Sequence, residues 1–224
     1  MSVLEVYEAL LIELSRVEAP NILLEDFNYY LNKAINQYVN KKYSNFETTQ
    51  QSTDDLRSLI TVLSTQPVKQ FGVYTVDLGD EGINYLHLLS LNCTYTVKNG
   101  NYKCFTAGDK FQYPAKKATA DSLPMILQNY YTRPKPERPY YKFSSNNTIE
   151  IYCGDLDNLE LTNITIEYIR EPEKVGLKLE QLNDPENYKP VTLEFSDYIC
   201  REIINELISL VMANQADERL AVYP

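Results

Sequence analysis

The hydrophobic period of this chain changes twice, and no other feature limits the possible folds as much. Up to about residue 65 apolar residues recur every three or four positions, from about residue 71 they alternate, and beyond about residue 194 the longer spacing returns. Side chains at the longer spacing share one face of a helix, whereas alternating side chains share one face of a strand. The chain is therefore expected to be α+β, with helices at both ends and an antiparallel sheet between them.

Three helices are expected in the N-terminal part. Ser2-x-x-Glu5 is a capping-box pattern, in which each side chain satisfies the other residue's free backbone N–H. It precedes a stripe of Val3, Val6, Leu10, Leu14 and Val17 that Pro20 ends. The second helix runs from about Leu24 to Tyr43, with Phe27, Leu31, Ala34 and Tyr38, joined by Tyr30, Ile35 and Val39, on its apolar face. Asn28, Asn32, Asn36 and Asn40 form a four-residue ladder on the other side, open to two readings: a solvated face, or a contact surface for another subunit. Ser52-x-x-Asp55 is expected to open a third helix through Leu56, Leu59, Ile60 and Leu63, closed by Pro67.

In the middle of the chain Tyr85, His87, Leu89, Leu91, Cys93, Tyr95 and Val97 alternate, predicting one long strand with His87 on its core side. Asn99-Gly100 suits a tight turn that folds Tyr102–Thr106 back against that strand. Cys104 then faces Tyr95, and Cys93 and Cys104 become diagonal neighbours about 7–8 Å apart, long for a disulfide. The four cysteines, Cys93, Cys104, Cys153 and Cys200, contain no C-x-x-C pair and are expected to be small buried hydrophobes. Tyr140–Phe143, Ile149–Cys153 and Ile164–Tyr168 read as further strands of a sandwich-like sheet pair.

The last helical stretch starts at Glu194 or Ser196. Ile199, Cys200, Ile203, Ile204, Leu207, Ile208, Leu210 and Val211 make a stripe broad enough to need neighbours on both flanks. The expected organisation is a helical bundle built from N-terminal helices (1–68) and a C-terminal helix with its tail (191–224). An antiparallel, β-sandwich-like domain (69–190) is inserted between them.

Two irregular segments stand out. Residues 132–139, Thr-Arg-Pro-Lys-Pro-Glu-Arg-Pro, are expected to be extended and lie between Tyr130-Tyr131 and Tyr140-Tyr141. They form either a plain exposed loop or an arm in which Pro134, Pro136 and Pro139 stiffen a contact and Arg133, Lys135 and Arg138 face phosphates. The C-terminal Leu220, Ala221, Val222 and Tyr223 are either a frayed end or a docking peptide.

Composition narrows the function. With 31 acidic residues against 21 basic and a net charge of −10, a broad grip on nucleic-acid phosphates is disfavoured, though a surface past which DNA slides is not. One histidine and 7 glycines leave little material for imidazole relays or phosphate-cradling loops, and neither G-x-G-x-x-G nor G-x-x-x-x-G-K-[ST] occurs. Asp54-Asp55 suits a helix N-terminus, and Asp155 and Asp157 lack the rest of a calcium loop. No catalytic residue, metal site or cofactor is expected. No apolar run approaches the roughly 20 residues of a bilayer span, and the N-terminus lacks a signal-peptide pattern, so no membrane partner is expected and synthesis is placed in a cytoplasm.

Leu24-Glu25-Asp26-Phe27-Asn28-Tyr29-Tyr30-Leu31-Asn32-Lys33-Ala34-Ile35-Asn36-Gln37-Tyr38-Val39-Asn40, followed by Thr48-Thr49-Gln50-Gln51-Ser52-Thr53-Asp54-Asp55-Leu56, resembles ring proteins of the head-to-tail connector in crAss-like tailed phages. The plan of a helical bundle with a β domain is similar to that of short-tailed-phage adaptor or tail tubular proteins. The textual resemblance covers the first quarter of the chain, and the architectural one most of it.

The resemblance implies a structural virion protein, made in the host cytoplasm and assembled as a ring of about twelve copies. It would lie below the portal protein, against neighbouring connector or tail rings, with double-stranded DNA passing through. Candidate subunit contacts are Asn28, Asn32, Asn36, Asn40, Tyr130, Tyr131, Pro134, Pro136, Pro139 and Tyr140. Candidate channel-facing cations are Arg133, Lys135 and Arg138, and candidate docking residues are Leu220, Val222 and Tyr223. A soluble, non-enzymatic protein-binding module is the alternative expectation.

Overall fold

The computed structural model describes residues 1–16, 22–46, 50–70, 72–79, 82–98, 100–145, 147–183 and 189–222, without the side chains of 16, 50–52, 101 and 215–222. Its helices are α1 (Val3–Arg16), α2 (Leu24–Tyr43), α3 (Gln50–Asp55), α4 (Ser122–Gln128), α5 (Leu179–Asn183) and α6 (Asp197–Val222). Its strands are β1 (Ile60–Thr65), β2 (Val68–Gln70), β3 (Val73–Asp77), β4 (Tyr85–Val97), β5 (Asn101–Tyr102), β6 (Phe105–Thr106), β7 (Lys110–Pro114), β8 (Lys116–Lys117), β9 (Tyr140–Phe143), β10 (Thr148–Tyr152) and β11 (Leu159–Arg170). The fold is mixed α+β. It divides into two compact units, one of Met1–Leu59 with Pro172–Pro224 and one of Ile60–Glu171.

In the first, helical unit, the capping box forms: the Ser2 N–H donates to Glu5 Oε2 at 2.7 Å and the Glu5 N–H to Ser2 Oγ at 3.2 Å. Val3, Val6, Leu10 and Leu14 are buried on α1, and Phe27, Leu31, Ala34, Ile35, Tyr38 and Val39 on α2. The broad stripe of α6 has a simple cause, since α6 contacts both α1 and α2 and buries Ile199, Cys200, Ile203, Ile204, Leu207 and Val211. That helix continues to Val222, so Leu220 and Val222 belong to it rather than to a tail; their side chains, and all of Tyr223, lie outside the described residues.

The expected third helix is not formed as such. α3 stops at Asp55, a 3₁₀ turn spans Arg57–Leu59, and Ile60–Thr65 is strand β1, paired antiparallel with β11. Leu56, Leu59 and Leu63 carry a helical spacing, but β-branched Ile60, Thr61, Val62 and Thr65 fit a pleated surface, and an available ladder partner settles the competition.

In the second unit, one sheet has the order β1-β11-β4-β7 and another β2-β3-β10-β9-β8, with β5-β6 a separate two-stranded ribbon. All pairs are antiparallel except β8 with β9. Leu91, Cys93 and Tyr95 of β4, Ile164 and Ile166 of β11, Val76 of β3 and Ile149 and Ile151 of β10 belong to one buried cluster to which both larger sheets contribute.

The hairpin expected after β4 differs. Asn99 lies outside the described residues, but β4 pairs with β7, placing Cys93 opposite Tyr113 and Tyr95 opposite Phe111. The segment expected to return against β4 folds on itself as the β5-β6 ribbon. Cys93, Cys153 and Cys200 are buried free thiols, whereas Cys104 is exposed. Aromatic packing explains the arrangement: Phe111 lies 5.6 Å from the Tyr95 ring, 5.5 Å from Tyr102 and 4.6 Å from Phe105, giving the ribbon an apolar anchor.

His87 is also displaced from expectation. Ser90 pairs with Glu167 and Leu88 with Tyr168, which leaves Leu89 as an extra residue; Leu86 is extra in the same way between His87–Ile169 and Tyr85–Arg170. Each bulge reverses the strand's alternation. Leu88 and Tyr85 consequently pack on the core cluster, and the shifted register puts His87, next to Leu88, on the opposite face. His87 is half-buried, and this burial holds its imidazole below its ordinary pKa.

Charge is divided unevenly. The helical unit holds 19 acidic and 10 basic residues, the β unit 12 and 11, so nearly all the net negative charge is helical.

Candidate assembly surfaces

The asparagine ladder has an internal task at its first two rungs. Asn28 Oδ1 accepts the Leu177 N–H at 2.8 Å while its Nδ2 donates to the Leu177 carbonyl at 2.9 Å. Asn32 does the same for Val175, at 3.0 and 2.7 Å, and also donates to the Asn28 carbonyl. Four helical residues rise about 6 Å and two extended residues about 6.6 Å, so amides four apart on α2 meet residues two apart on the connector, the chain segment 171–178 between β11 and α5. Asn28 and Asn32 are thus strand-like partners for their own chain, not an open contact face. Asn36 is half-buried and Asn40 exposed.

Residues 132–139 form a compact loop instead of an extended arm. Lys135 and Arg138 pair across a turn, the Arg138 N–H donating to the Lys135 carbonyl at 2.9 Å. The Arg138 guanidinium turns back to donate to the carbonyls of Tyr131 and Arg133, with its Nε buried. This removes Arg138 from the expected channel-facing group; Arg133 and Lys135 remain exposed. Pro134, Pro136 and Pro139 are buried, as is Tyr140, which packs with Ala118 and Leu123. These four, expected at a subunit contact, are interior residues because the loop rests on the end of β10 and the turn after it.

Gly154 allows that rest. Its φ of +73° suits glycine, and a Cβ there would overlap the Pro134 carbonyl oxygen and lie 3.0 Å from its carbon. Gly154→Ala is expected to cost about 1–3 kcal/mol, through left-handed strain together with displacement of backbone. Chemical denaturation reads the cost, and increased proteolysis near Pro134 reads the displacement.

Glu137 fixes the other side of the loop. Burial opposes its ionisation, but hydrogen bonds from Lys103, at 2.6 Å, and from the Tyr102 hydroxyl outweigh it and hold the carboxyl down to about 2. The folded pKa lies below the unfolded one, so this contribution is present above the ordinary glutamate range of about 4.3 and disappears as pH falls through the folded value. A carbon-detected NMR titration should place the Glu137 midpoint near 2, and Glu137→Gln should loosen the β5-β6 ribbon at neutral pH.

Beside this loop lies an uncovered surface. Leu123 and Ile126 turn α4 inward, which leaves Met125 (74% exposed) and Leu127 on opposite flanks of the helix, while Tyr130 (67%) and Tyr131 (81%) are exposed just beyond its end. The Tyr130 and Tyr131 rings meet edge to face at 5.6 Å, and the Arg133 guanidinium sits 4.9 Å from the Tyr130 centroid. The tyrosine pair was legible in sequence; Met125 and Leu127 were not, because which side of a seven-residue helix faces out depends on its packing.

The helical unit carries an ionic knot that sequence did not reveal. Lys42 Nζ lies 2.8 Å from Asp55 Oδ2 and 2.9 Å from Glu202 Oε2, and 5.2 Å from the Tyr38 ring centroid. The Tyr198 hydroxyl donates to Glu202 at 2.6 Å. Asp55 is 6% exposed. The knot ties α2, α3 and α6 together.

No cluster of three or more potential metal ligands occurs among the described residues. Nor is any helix among them long and apolar enough to cross a membrane. No family model and no curated protein matches the chain.

Proposed function

We propose that this chain is a structural virion protein, one copy of a ring in a phage head-to-tail connector that lies below the portal and extends the DNA channel toward the tail. In this reading α1, α2 and α6 are a bundle and the two larger sheets a sandwich. The observation that carries it is the Tyr130-Tyr131 pair, two large aromatics held outward beside Arg133 on a segment whose following loop is pinned by Arg138. Exposed clusters of that kind mark protein–protein contacts. The resemblance of Leu24–Asn40 and Thr48–Leu56 to connector ring proteins supplies the partner class.

The uneven charge fits a conduit. Acidic helical units repeated around a ring repel DNA phosphates and prevent sticking, while Arg133 and Lys135 offer transient contacts. Electron microscopy of the protein mixed with its portal should show a closed ring of about twelve copies. A chain that remains monomeric with the portal present overturns the ring and leaves a protein-binding module. Truncation after Asn214 tests docking by the C-terminal end: loss from the connector is expected, and normal incorporation removes that role.

A further inference from the structure

We infer that Cys93 and Cys153 are a reversible oxidation site: a hydroperoxide converts the two thiols into a disulfide that staples the two larger sheets of the β unit together. The site lies within the β unit, and its chemistry does not depend on the ring reading.

The strands bring the two thiols to one core from different sheets. On β4, Leu91, Cys93, Tyr95 and Val97 are buried and alternate with the less buried Asn92, Thr94 and Thr96. On β10, Ile149 and Ile151 are buried, and Cys153, one residue beyond the strand, keeps their phase. All of these buried residues belong to a single cluster, although β4 and β10 belong to different sheets. Within it the Cys93 thiol donates a hydrogen bond to the Cys153 sulfur. The Tyr95 hydroxyl is buried, bonds no oxygen or nitrogen, and has the same two thiols as neighbours. Cys93 and Cys153 stand 60 positions apart, so a bond between them closes a long loop and restrains the unfolded chain strongly.

The surroundings make Cys153 the nucleophile. The hydrogen bond from Cys93, with help from the Tyr95 hydroxyl, outweighs burial and holds the Cys153 thiol below its ordinary pKa, whereas the same hydrogen bond and burial push Cys93 up. Thiolate, not thiol, attacks an oxidant. Cys153 also borders a way in, a cleft of about 460 Å³ lined by residues 133–136 of the proline-rich loop and 152–155 at the end of β10, among others. It is 3% exposed against 0% for Cys93, and a hydroperoxide group is little larger than water. The Cys153 thiolate attacks one peroxide oxygen and the O–O bond breaks. This leaves a sulfenic acid on Cys153 and an alcohol that has taken up the Cys153 proton. The Cys93 sulfur then attacks the sulfenic sulfur, the S–S bond forms, and the sulfenic oxygen leaves as water with the Cys93 proton. The two thiols together lose two electrons, and the hydroperoxide becomes an alcohol and water.

Cys104→Ser removes the exposed thiol that would otherwise cross-link chains, and alters no buried residue. Folded Cys104→Ser chain, treated with hydrogen peroxide and alkylated in denaturant, is expected to leave only Cys200 alkylated. Mass spectrometry should find a Cys93–Cys153 cross-linked peptide that dithiothreitol reverses, and the melting temperature should rise by about 5–15 °C. Cys200 is the internal control, buried in the helical unit with its thiol on the Phe195 carbonyl. In the same background Cys153→Ala should slow oxidation of Cys93 about 10-fold or more, and Cys93→Ala should leave a Cys153 sulfenic acid that dimedone labels. Cys93 and Cys153 that both stay alkylatable at peroxide doses oxidising Cys104 in the wild type overturn the site. A cross-link that forms only after urea unfolds the chain overturns it as well. Cys93 oxidation as fast in Cys153→Ala as with Cys153 present overturns the pairing of the two thiols.

Discussion

Replacing Lys42 by methionine is expected to lower the stability of the helical unit by about 3–5 kcal/mol, the usual cost of removing one partner from a buried ion pair. The magnitude follows from what remains behind. Asp55, 7% exposed at its side chain, loses the 2.8 Å partner that offsets its desolvation, and Glu202 loses a second contact. Burial lowers the Lys42 pKa, but hydrogen bonds to Asp55 and Glu202 outweigh it and raise the net value above the ordinary lysine range. Glu202 is held below the usual range, first by the Tyr198 hydroxyl and then, against burial, by Lys42.

The pH dependence has a definite sign. Lys42 contributes fully below its unfolded pKa of about 10.4, and that contribution is lost as pH rises through the higher folded value. Glu202 contributes above its unfolded pKa of about 4.3 and loses that contribution as pH falls through the lower folded value. The difference between wild type and Lys42→Met, measured by urea denaturation, should therefore be flat across the neutral range and shrink at both extremes. Lys42→Met/Asp55→Leu should recover much of the loss, because Glu202 is about one-third exposed and can be solvated. A double variant as unstable as the single one would show that lost packing, not an orphaned carboxylate, sets the cost.

This knot also marks where sequence reading stops. Lys42 and Glu202 stand 160 positions apart, and each has the charge expected of a solvated helix face. Only the packing of α6 against α2 brings them together. By contrast, α2 and β4 were readable to their end residues because each keeps one period over many positions. Phase was less secure than period: the bulges at Leu89 and Leu86 turn His87 away from the core, and one extra residue leaves no trace in a run of leucines. Ile60–Thr65 was misread because its apolar positions fit both periods, and the deciding partner, β11, lies a hundred residues on. The proline-rich loop failed for another reason. Proline fixes φ and removes donors, which makes an extended segment probable in isolation, but prolines also bury readily when a guanidinium satisfies the carbonyls around them. For the candidate surfaces, the legible part was the residue type, and the illegible part was which side each residue faces.

Removing the first two rungs of the asparagine ladder is expected to have the second large effect. Asn28→Ala/Asn32→Ala should cost about 2–5 kcal/mol, since each amide satisfies both the N–H and the carbonyl of one connector residue, buried Leu177 and half-buried Val175, and each unpaired polar group costs about 1–3 kcal/mol where water cannot replace the partner. The connector passes close to α2 at Gly176, where a Cβ would lie 3.4 Å from the Asn28 amide. Only side chains of asparagine's length, presenting donor and acceptor together, fit the two gaps. Asn28→Asp should therefore behave like Asn28→Ala, because a carboxylate still accepts the Leu177 N–H but faces the Leu177 carbonyl with no proton to donate. Hydrogen exchange should accelerate at the Val175 and Leu177 amides in the double variant and not at the Val3 amide, which is bonded to the Val191 carbonyl. Asn36→Ala supplies the contrast: half-buried on the same ladder, it should change stability by less than about 0.5 kcal/mol. If Asn36→Ala weakens ring assembly while leaving stability intact, the lower rungs hold the connector and the third meets a neighbour; equal stability losses at all three would make the whole ladder a folding device.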